Sequence, residues 1–564
     1  MRQAIIRLVL TAACLICKGH AALAADTAPA QVTAANQGTI DRGVPRAQIT
    51  ARPRGSAMGP AVAAAVAPAP TGPTFAVRHI RFEGNQRIAA SELAAVAAPY
   101  EGRDDHLGEL QRLAHDVQQL YHQRGYFLAR VVLPPQELDG GDVRIVIYEG
   151  RVESVKVTGN KHYSERFVQR FFEPALRSAG GVARQRPIER ALLIENEFLD
   201  LSVKSTLRAG VAPGTAQALL SVHDRAPIHA DLSYDNFGNP LAGRNHLNAG
   251  FTGGNALTEG DLVGLHVVFP FPSASDPFYS ASYSAPLGDR GDRLGFQYSN
   301  AVTSVGGDLA VLDIRGKADI FGLILQHPIL RTLSESTNFS AGLVAKSVKN
   351  FVFTNVLTSN DQLRELVVSY DANTVRGKVR TLYSGVLTQG LGTLLGGVGN
   401  ANPLPSRAHA GDGFAKLNFD AFHIYDLSKH DLLFLHGTAQ LASNSLPTAE
   451  LIGLGGVESV RGFLQSEFLG DEGYTLSAEI RHAVLDEKKT HVQLAAFVDQ
   501  GGARVEHTQP GEIQSQSRTG AGVGVRAGFG RTTSVRMDLG FPLHPSTNTN
   551  GEHATLYAQI ASRW

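Results

Sequence analysis

Apolar and polar residues alternate with a period of two through the back part of the chain, from about residue 226 to the end. In one segment, Tyr279, Ala281, Tyr283 and Ala285 alternate with Ser280, Ser282 and Ser284. A turn rich in Pro, Gly and Asp follows at 286–292, and the alternation returns at 293–299, 534–541 and 556–564. Successive side chains of a strand point to opposite faces, so this pattern predicts antiparallel strands joined by turns.

A soluble β-sandwich alternates in the same way, so the period alone leaves two fold classes open. Three features favour a transmembrane barrel: the pattern covers residues 226–564, the face opposite the apolar residues is often wholly polar or glycine, and the chain carries an export signal. A spanning strand needs about 9–11 residues, and roughly 20 residues per strand with its connection gives about 16 strands. We therefore predict a membrane β-barrel of about 16 antiparallel strands.

The front part of the chain contains a repeat. Residues 77–85 and 152–160 both read as an alternating strand that ends in Gly-Asn, a dipeptide suited to turns. Helical stretches and two further strands follow each copy, and the apolar residues of 107–121 lie on one helical face. This organisation predicts two small α/β modules, 74–150 and 151–225, each with the order β-α-α-β-β.

Helices paired on one side of each sheet would leave at least one strand edge open in every module. An open edge can accept an added strand from another chain. The alternative is that these edges are blunted or docked on neighbouring domains, and the sequence does not separate the two.

The first 73 residues have a different character. Residues 1–24 read as a secretory signal, with Arg2 and Arg7 before an apolar run and Ala22-Leu23-Ala24 at the cleavage site. Residues 25–73 read as an Ala/Pro-rich linker that cannot bury a core. Both cysteines fall in the signal, so we expect no disulfide. No later run of 18 apolar residues occurs, so an exported chain of this kind is either soluble or a closed barrel.

Charge and motifs exclude several function classes. The chain has 52 basic and 52 acidic residues, which gives no overall field to attract nucleic acid. The glycines of 390–396 lack the spacing of a dinucleotide-binding loop, and no phosphate-loop lysine motif, zinc-protease motif or serine-nucleophile elbow occurs. The histidines show no metal-ligand spacing. We expect no catalytic site, cofactor, metal or nucleotide.

Strand periodicity also predicts which residues line the lumen. In 490–499, the lipid-facing set is Val492, Leu494, Ala496 and Val498. The lumen-facing set of the same strand is His491, Gln493, Ala495, Phe497 and Asp499. By the same rule, the inward residues elsewhere are Glu479, Arg481, Gly520, Gly522, Gly524, Arg526 and Gly528. Inward glycines leave room for another segment to approach the wall.

Two segments carry a family resemblance. Val460-Arg461-Gly462-Phe463 closes the glycine-rich stretch 454–463, and Phe497-Val498-Asp499-Gln500-Gly501 follows about thirty residues later. Together with the paired modules, the terminal Trp564 and the stretch 124–136, they resemble the two-partner secretion transporters of the outer membrane, the TpsB family. The stretch 124–136 is similar to the first polypeptide-transport-associated (POTRA) module of that family.

The resemblance implies a site and a function. A loop near 454–470 would fold back into the lumen, where Arg461 would meet Asp499. The transport motif would comprise Val460, Arg461, Gly462, Phe463, Phe497, Asp499 and Gly501. The barrel would lie in outer-membrane lipid with its POTRA modules in the periplasm, and would export a large hemolysin- or adhesin-like partner protein that is unfolded in the periplasm.

Several alternatives stay open at this stage. Arg461 and Asp499 could form an ordinary charge pair of the barrel wall, the chain could insert other barrels as an assembly factor of the same superfamily, or it could be a soluble secreted β-rich binding protein. Many TpsB transporters begin with a helix that fills the pore, but 26–72 is too rich in Pro and Gly to predict one.

Overall fold

The computed structural model describes residues 74–137, 139–272, 275–353 and 355–564. The predicted signal (1–24) and the predicted linker (25–73) lie outside the described residues. The stretch 26–72, in which no pore-filling helix was predicted, therefore lies outside them as well. Within the described chain, no helix is both long and apolar enough to cross a membrane.

The first module is an α/β unit with one more strand pair than predicted. Its elements are β1 (Thr74–Val77), β2 (His79–Glu83), α1 (Ala90–Ala97), β3 (Arg103–His106), α2 (Leu107–Gln123), β4 (Arg130–Val132) and β5 (Asp142–Tyr148). The main sheet has the order β2-β5-β4, and β1 pairs with β3 in a separate ribbon. The prediction of one strand at 77–85 was therefore wrong in detail, because Arg78 donates its backbone N–H to Gly141 O (2.7 Å) and divides the strand in two.

The second module has the predicted order β-α-α-β-β. Its elements are β6 (Arg151–Thr158), α3 (Glu165–Arg177), α4 (Gln185–Glu195), β7 (Leu201–Ala209) and β8 (Thr215–Asp224). The strand order is β6-β8-β7, with β6 parallel to β8. Phe167, Phe171 and Phe172 of α3 pack with Leu192 of α4 over Leu220 of the central strand.

The Gly-Asn repeat has the same structural role in both modules. Gly84 and Gly159 have positive φ angles of 91° and 88°. A Cβ atom at Gly84 would lie 2.2 Å from Ile147 O, and one at Gly159 would lie 2.5 Å from Val222 O. Only glycine fits such a turn, since it must take a positive φ while its backbone touches the neighbouring strand.

A carboxylate then fastens each of these turns. Asp224 accepts hydrogen bonds from the backbone N–H groups of Lys161, His162 and Tyr163 at 2.6–3.0 Å, and Glu149 binds the equivalent turn of the first module. Burial opposes ionisation of Asp224, but the backbone donors outweigh it and hold the pKa of this carboxyl below its usual value.

The rest of the chain closes into a barrel of 16 antiparallel strands, which confirms the predicted fold class. The first eight strands are β9 (Ile228–Asp235), β10 (Asn245–Gly254), β11 (Leu262–Phe271), β12 (Phe278–Leu287), β13 (Asp292–Ser304), β14 (Arg315–Arg331), β15 (Glu335–Val352) and β16 (Val356–Arg376). The next eight are β17 (Val379–Gly390), β18 (Ala415–Asp426), β19 (Asp431–Ala442), β22 (Glu472–Asp486), β23 (Thr490–Arg504), β24 (Ser515–Phe529), β25 (Thr533–His544) and β26 (Thr555–Arg563). Pairing of β26 with β9 closes the ring, so each described strand of the barrel has a neighbour on both sides.

Between β19 and β22, the chain forms a hairpin that is not part of the barrel wall. Its strands are β20 (Ile452–Leu454) and β21 (Phe468–Gly470), which pair with each other in a separate two-stranded sheet. Short 3-10 segments occur at Ala98–Tyr100, Asp139–Gly141, Ser178–Gly181, Gly307–Leu312, Leu394–Gly396, Gly399–Ala401 and Thr448–Glu450.

Side chains of the barrel alternate as the sequence predicted. On β23, Leu494 and Val498 are about half exposed on the outer face, whereas Phe497 and Asp499 are buried inside. In this part of β23, apolar residues therefore face outward and Asp499 faces inward, as expected for a transmembrane barrel.

The second module is attached to the turns at one end of the barrel. Ser164 Oγ donates to Glu259 Oε2 (2.8 Å) in the turn after β10. Arg190 of α4 donates to Pro328 O (2.7 Å) near the end of β14. These contacts place the second module at the barrel end that holds the short turns.

Candidate functional site

The connection between β19 and β22, residues 443–471, enters the barrel and will be called the lumen loop. Its tip turns sharply, since Gly455, Gly456 and Gly462 all have positive φ angles near 100°. A Cβ atom at Gly462 would lie 2.8 Å from the backbone of Phe541 and Pro542 on β25. Glycine at this position therefore allows the loop to lie directly against the wall.

The wall makes room for the loop with its own glycines. A Cβ atom at Gly520 of β24 would lie 2.0 Å from Arg461 O, and one at Gly540 of β25 would lie 2.5 Å from Gly462 N. Gly520 belongs to the glycines predicted to face inward, and the segment that approaches it is the arginine-bearing tip of the lumen loop.

Arg461 is bound to the wall by its whole guanidinium group. Nε and Nη2 donate to the two carboxylate oxygens of Asp499 at 2.7 and 2.8 Å. Nη1 donates to Glu479 Oε2 at 2.6 Å, and Nη2 also donates to Ser477 Oγ at 3.2 Å. The backbone N–H of Arg461 is a further donor to Asp499 (3.1 Å). The pair is therefore bidentate, the strongest geometry available to arginine and a carboxylate.

Phe497 lies beneath the same guanidinium group. The Cζ atom of Arg461 is 3.3 Å from the centroid of the Phe497 ring. A cation over an aromatic face is attracted by the ring quadrupole, so Phe497 stabilises the charged side chain from the side that makes no hydrogen bond.

The ion pair belongs to a larger charge network on β22 to β25. Glu479 also binds Arg481 (2.6 Å) and Arg526 (3.1 Å). Asp538 lies 2.7 Å from Arg526 and 2.8 Å from Arg536. The network joins four arginines, Arg461, Arg481, Arg526 and Arg536, to four acids, Glu458, Glu479, Asp499 and Asp538.

The remaining motif residues form the contact between the loop tip and the wall. Val460 and Phe463 are fully buried in a cluster with Leu454 and Ala503. Gly501 leaves space there, since a Cβ atom would lie 2.6 Å from Leu454 Cδ1 and 3.1 Å from Val460 Cγ2. With Arg461, Gly462, Phe497 and Asp499, all seven residues of the predicted motif come together in one place.

Several residues of the site were missed by the sequence reasoning. Tyr557 of β26 accepts from Gly462 N–H (3.1 Å) and donates to Phe463 O (2.5 Å), and Thr555 donates to Gly462 O (2.8 Å). Asp538 and Tyr557 occupy inward positions of alternating strands, so periodicity alone could have named them as lumen residues, but not as partners of this loop.

Burial decides how much the ion pair between Arg461 and Asp499 contributes to the stability of the folded protein. In a wet lumen it would contribute roughly 0–1 kcal/mol. Here Arg461 is 3% exposed and Asp499 is 1% exposed. At this burial, removing one partner leaves an uncompensated charge and costs about 3–5 kcal/mol. No group of residues suited to holding a metal ion occurs in the described part of the chain.

The family of the chain follows from its match to known sequences. Residues 214–527, more than half of the chain, match the family model for haemolysin secretion/activation protein ShlB/FhaC/HecB. The chain belongs to this family. Residues 75–150 also match the POTRA domain of ShlB type, so the first module of this secretion protein is a POTRA module.

Individual relatives agree with this assignment. The heme/hemopexin transporter protein HuxB of Haemophilus influenzae is 24% identical over 485 residues, which cover 83% of each chain. The outer membrane transporter CdiB of Dickeya dadantii is 25% identical over 494 residues, 84% of this chain and 83% of that protein. The structure of CdiB from Escherichia coli has the same fold, with a TM-score of 0.75 at 22% identity over 95% of this chain and 98% of that one.

The secretion protein is therefore an outer-membrane transporter of the two-partner secretion type. Its barrel lies in the outer membrane, and its POTRA modules lie in the periplasm. The turns that contact the second module form the periplasmic end of the barrel, and the lumen loop enters from the extracellular end.

Proposed function

We propose that this protein exports a large hemolysin- or adhesin-like partner protein from the periplasm to the cell surface. The POTRA modules bind the unfolded partner, which then passes through the barrel beside the lumen loop. One observation carries the proposal: inside a closed barrel, the tip of this loop is fastened to the wall by the buried Arg461–Asp499 pair, and the modules lie at the opposite, periplasmic end.

The edge of β7 is the proposed binding site for a strand of the partner. The side-chain amide of Asn196 binds both backbone groups of Val203, so these groups point away from β8. In an antiparallel ladder, the backbone N–H and C=O groups of successive residues point alternately toward and away from the neighbouring strand. Ser205, Leu207 and Ala209 therefore turn their backbone groups to the same outer edge as Val203. Among the described strands, none pairs with β7 on that side. An extended segment could therefore add to the sheet there.

The energy for export would come from outside the protein. The sequence has no nucleotide-binding motif, so we propose that folding of the partner at the cell surface draws the chain outward. The apolar outer face of the barrel would contact outer-membrane lipid, while the lumen gives the unfolded partner a polar path.

Depletion of the protein separates export from barrel assembly. We expect the loss of one or a few large proteins from the culture supernatant, with the other outer-membrane proteins at their normal levels. Quantitative proteomics of supernatant and outer membrane measures both. A broad loss of outer-membrane proteins would instead favour an assembly factor and contradict the proposal.

A further inference from the structure

The lumen loop has a second buried attachment at Glu450, eleven residues before Arg461. Glu450 is 1% exposed, and each of its carboxylate oxygens binds a different lysine of the wall. Lys346 Nζ lies 2.5 Å from Oε1, and Lys416 Nζ lies 2.7 Å from Oε2. Lys346 also binds Glu365 at 3.0 Å. These four residues, the Glu450 cluster, carry two positive and two negative charges.

The two attachments hold the loop across the lumen. Lys346, Glu365 and Lys416 lie on β15, β16 and β18, whereas Arg461 binds residues of β22 and β23 and lies 3.8 Å from Asp538 of β25. In the ring of 16 strands, β25 is the eighth strand after β15, which places these two strands on opposite sides of the barrel. The loop therefore spans the lumen between them.

The two attachments differ in strength. The planar guanidinium group of Arg461 binds the carboxylate of Asp499. It also contacts the carboxylate of Glu479, the hydroxyl of Ser477 and the aromatic ring of Phe497. The Glu450 carboxylate is held by two flexible ammonium groups, each of which acts as a point charge. Its backbone carbonyl accepts a hydrogen bond from Gln440 Nε2 (2.9 Å). The end held by Glu450 is therefore the one that separates more readily, with the Arg461 end left in place.

The β17–β18 connection, 391–414, covers the Glu450 end. Arg407 donates to Leu446 O (2.7 Å) and forms a bidentate pair with Asp471 at 2.7 and 3.0 Å. Thr448 N–H donates to Ser406 Oγ (2.9 Å). This end of the lumen loop and the β17–β18 connection are therefore bound to each other at the extracellular end of the barrel.

We propose that Glu450 is the releasable attachment of the lumen loop, and that its separation from Lys346 and Lys416 opens the pore while Arg461 keeps the loop tip on the wall. This inference rests on the proposed function, because it assigns the step that clears the lumen for the partner. Glu450 is a positioning residue here: it holds the loop across the lumen.

The ionic conductance of the purified full-length protein in planar lipid bilayers tests the inference without any partner protein. Neutralising Glu450 removes the carboxylate that Lys346 and Lys416 share and leaves Lys346 bound to Glu365. We expect Glu450→Gln to raise the fraction of time spent in the open state by about tenfold. Glu173→Gln is the matched control, since it removes the same charge from an exposed ion pair with Arg177 (2.7 Å) in helix α3 of the second module; it should conduct like the wild type.

Thiol labelling at a position beside Glu450 reports whether this end of the lumen loop has separated from the barrel wall. A general loss of barrel stability would not be specific to this position. Both cysteines of the chain lie in the predicted signal, and Thr448 is fully buried beside Glu450. A maleimide should label Thr448→Cys slowly, and much faster when Glu450→Gln is also present. Increased conductance without increased labelling would place the current elsewhere and overturn the proposal.

Barrel closure is checked first by heat-modifiable gel mobility. Wild-type conductance of a closed Glu450→Gln barrel would overturn the inference. If the Glu450→Gln barrel does not close, Lys416→Gln is measured in the same way, because it removes one of the two lysines that bind Glu450. An increased open fraction supports the inference, and an unchanged open fraction overturns it. A protein that exports nothing would still show these effects, so failure of the proposed function is read separately, from secretion.

Discussion

Replacing Arg461 with methionine should lower secretion of the partner protein by at least about tenfold while the barrel still inserts. The change leaves Asp499 and Glu479 buried without their shared cation, at a cost of about 3–5 kcal/mol, and 1.4 kcal/mol already corresponds to a factor of ten. The loop tip would leave the wall and occupy the path of the partner. Secreted partner protein is measured by immunoblotting, and insertion by heat-modifiable mobility in the membrane fraction.

Secretion by two further variants is compared with secretion by Arg461→Met. Arg461→Lys keeps the charge but loses the planar fork, so we expect intermediate secretion. Arg315→Met removes an exposed arginine that pairs with Asp313 (3.1 Å) at the start of β14, and this variant should secrete normally. Unchanged secretion by both Arg461→Met and Asp499→Asn would remove the motif from the transport mechanism and leave an ordinary charge pair of the wall.

Replacing Leu207 with proline should reduce binding of the partner protein to the POTRA modules by about tenfold, with a matching loss of secretion. Proline has no N–H group, and at this position the lost donor points to the open edge of β7 and not to β8. The partner strand would keep an unpaired carbonyl, which costs about 1–3 kcal/mol. Binding of an unfolded N-terminal fragment of the partner to the full-length protein in detergent measures the effect.

Leu207→Ala is the matched control for this edge. It removes the same packing side chain from the core of the second module but keeps the backbone donor. Equal binding by the proline and alanine variants would show that the edge of β7 does not accept a strand, and the proposed capture step would then have to use another surface.

The barrel could be predicted because its pattern has few structural solutions. Alternation over residues 226–564 in an exported chain favours a closed sheet, and periodicity also placed Glu479, Arg526 and Asp499 on the inner face. The pairing of β1 with β3 could not be predicted, since four-residue strands carry too little pattern to be separated from turns.

The partners of the lumen loop were only partly predictable. Periodicity shows which side chains face inward but not which connection folds in to meet them, so Arg461 and Asp499 were paired only by family resemblance. The Glu450 cluster had no signal at all. Lys346, Glu365 and Lys416 come from three strands, and their meeting with one loop residue depends on strand register and barrel closure.

The central claim is that the partner protein crosses the membrane inside the barrel. Single cysteines at the neighbouring positions Gln493 and Leu494 of β23 test it directly, because Gln493 was assigned to the lumen and Leu494 is half exposed on the outer face. A partner protein with one cysteine, stalled in transit by a folded domain, should form a disulfide with Gln493→Cys and not with Leu494→Cys. Equal cross-linking at both positions, or cross-linking only at Leu494→Cys, would contradict passage through the lumen.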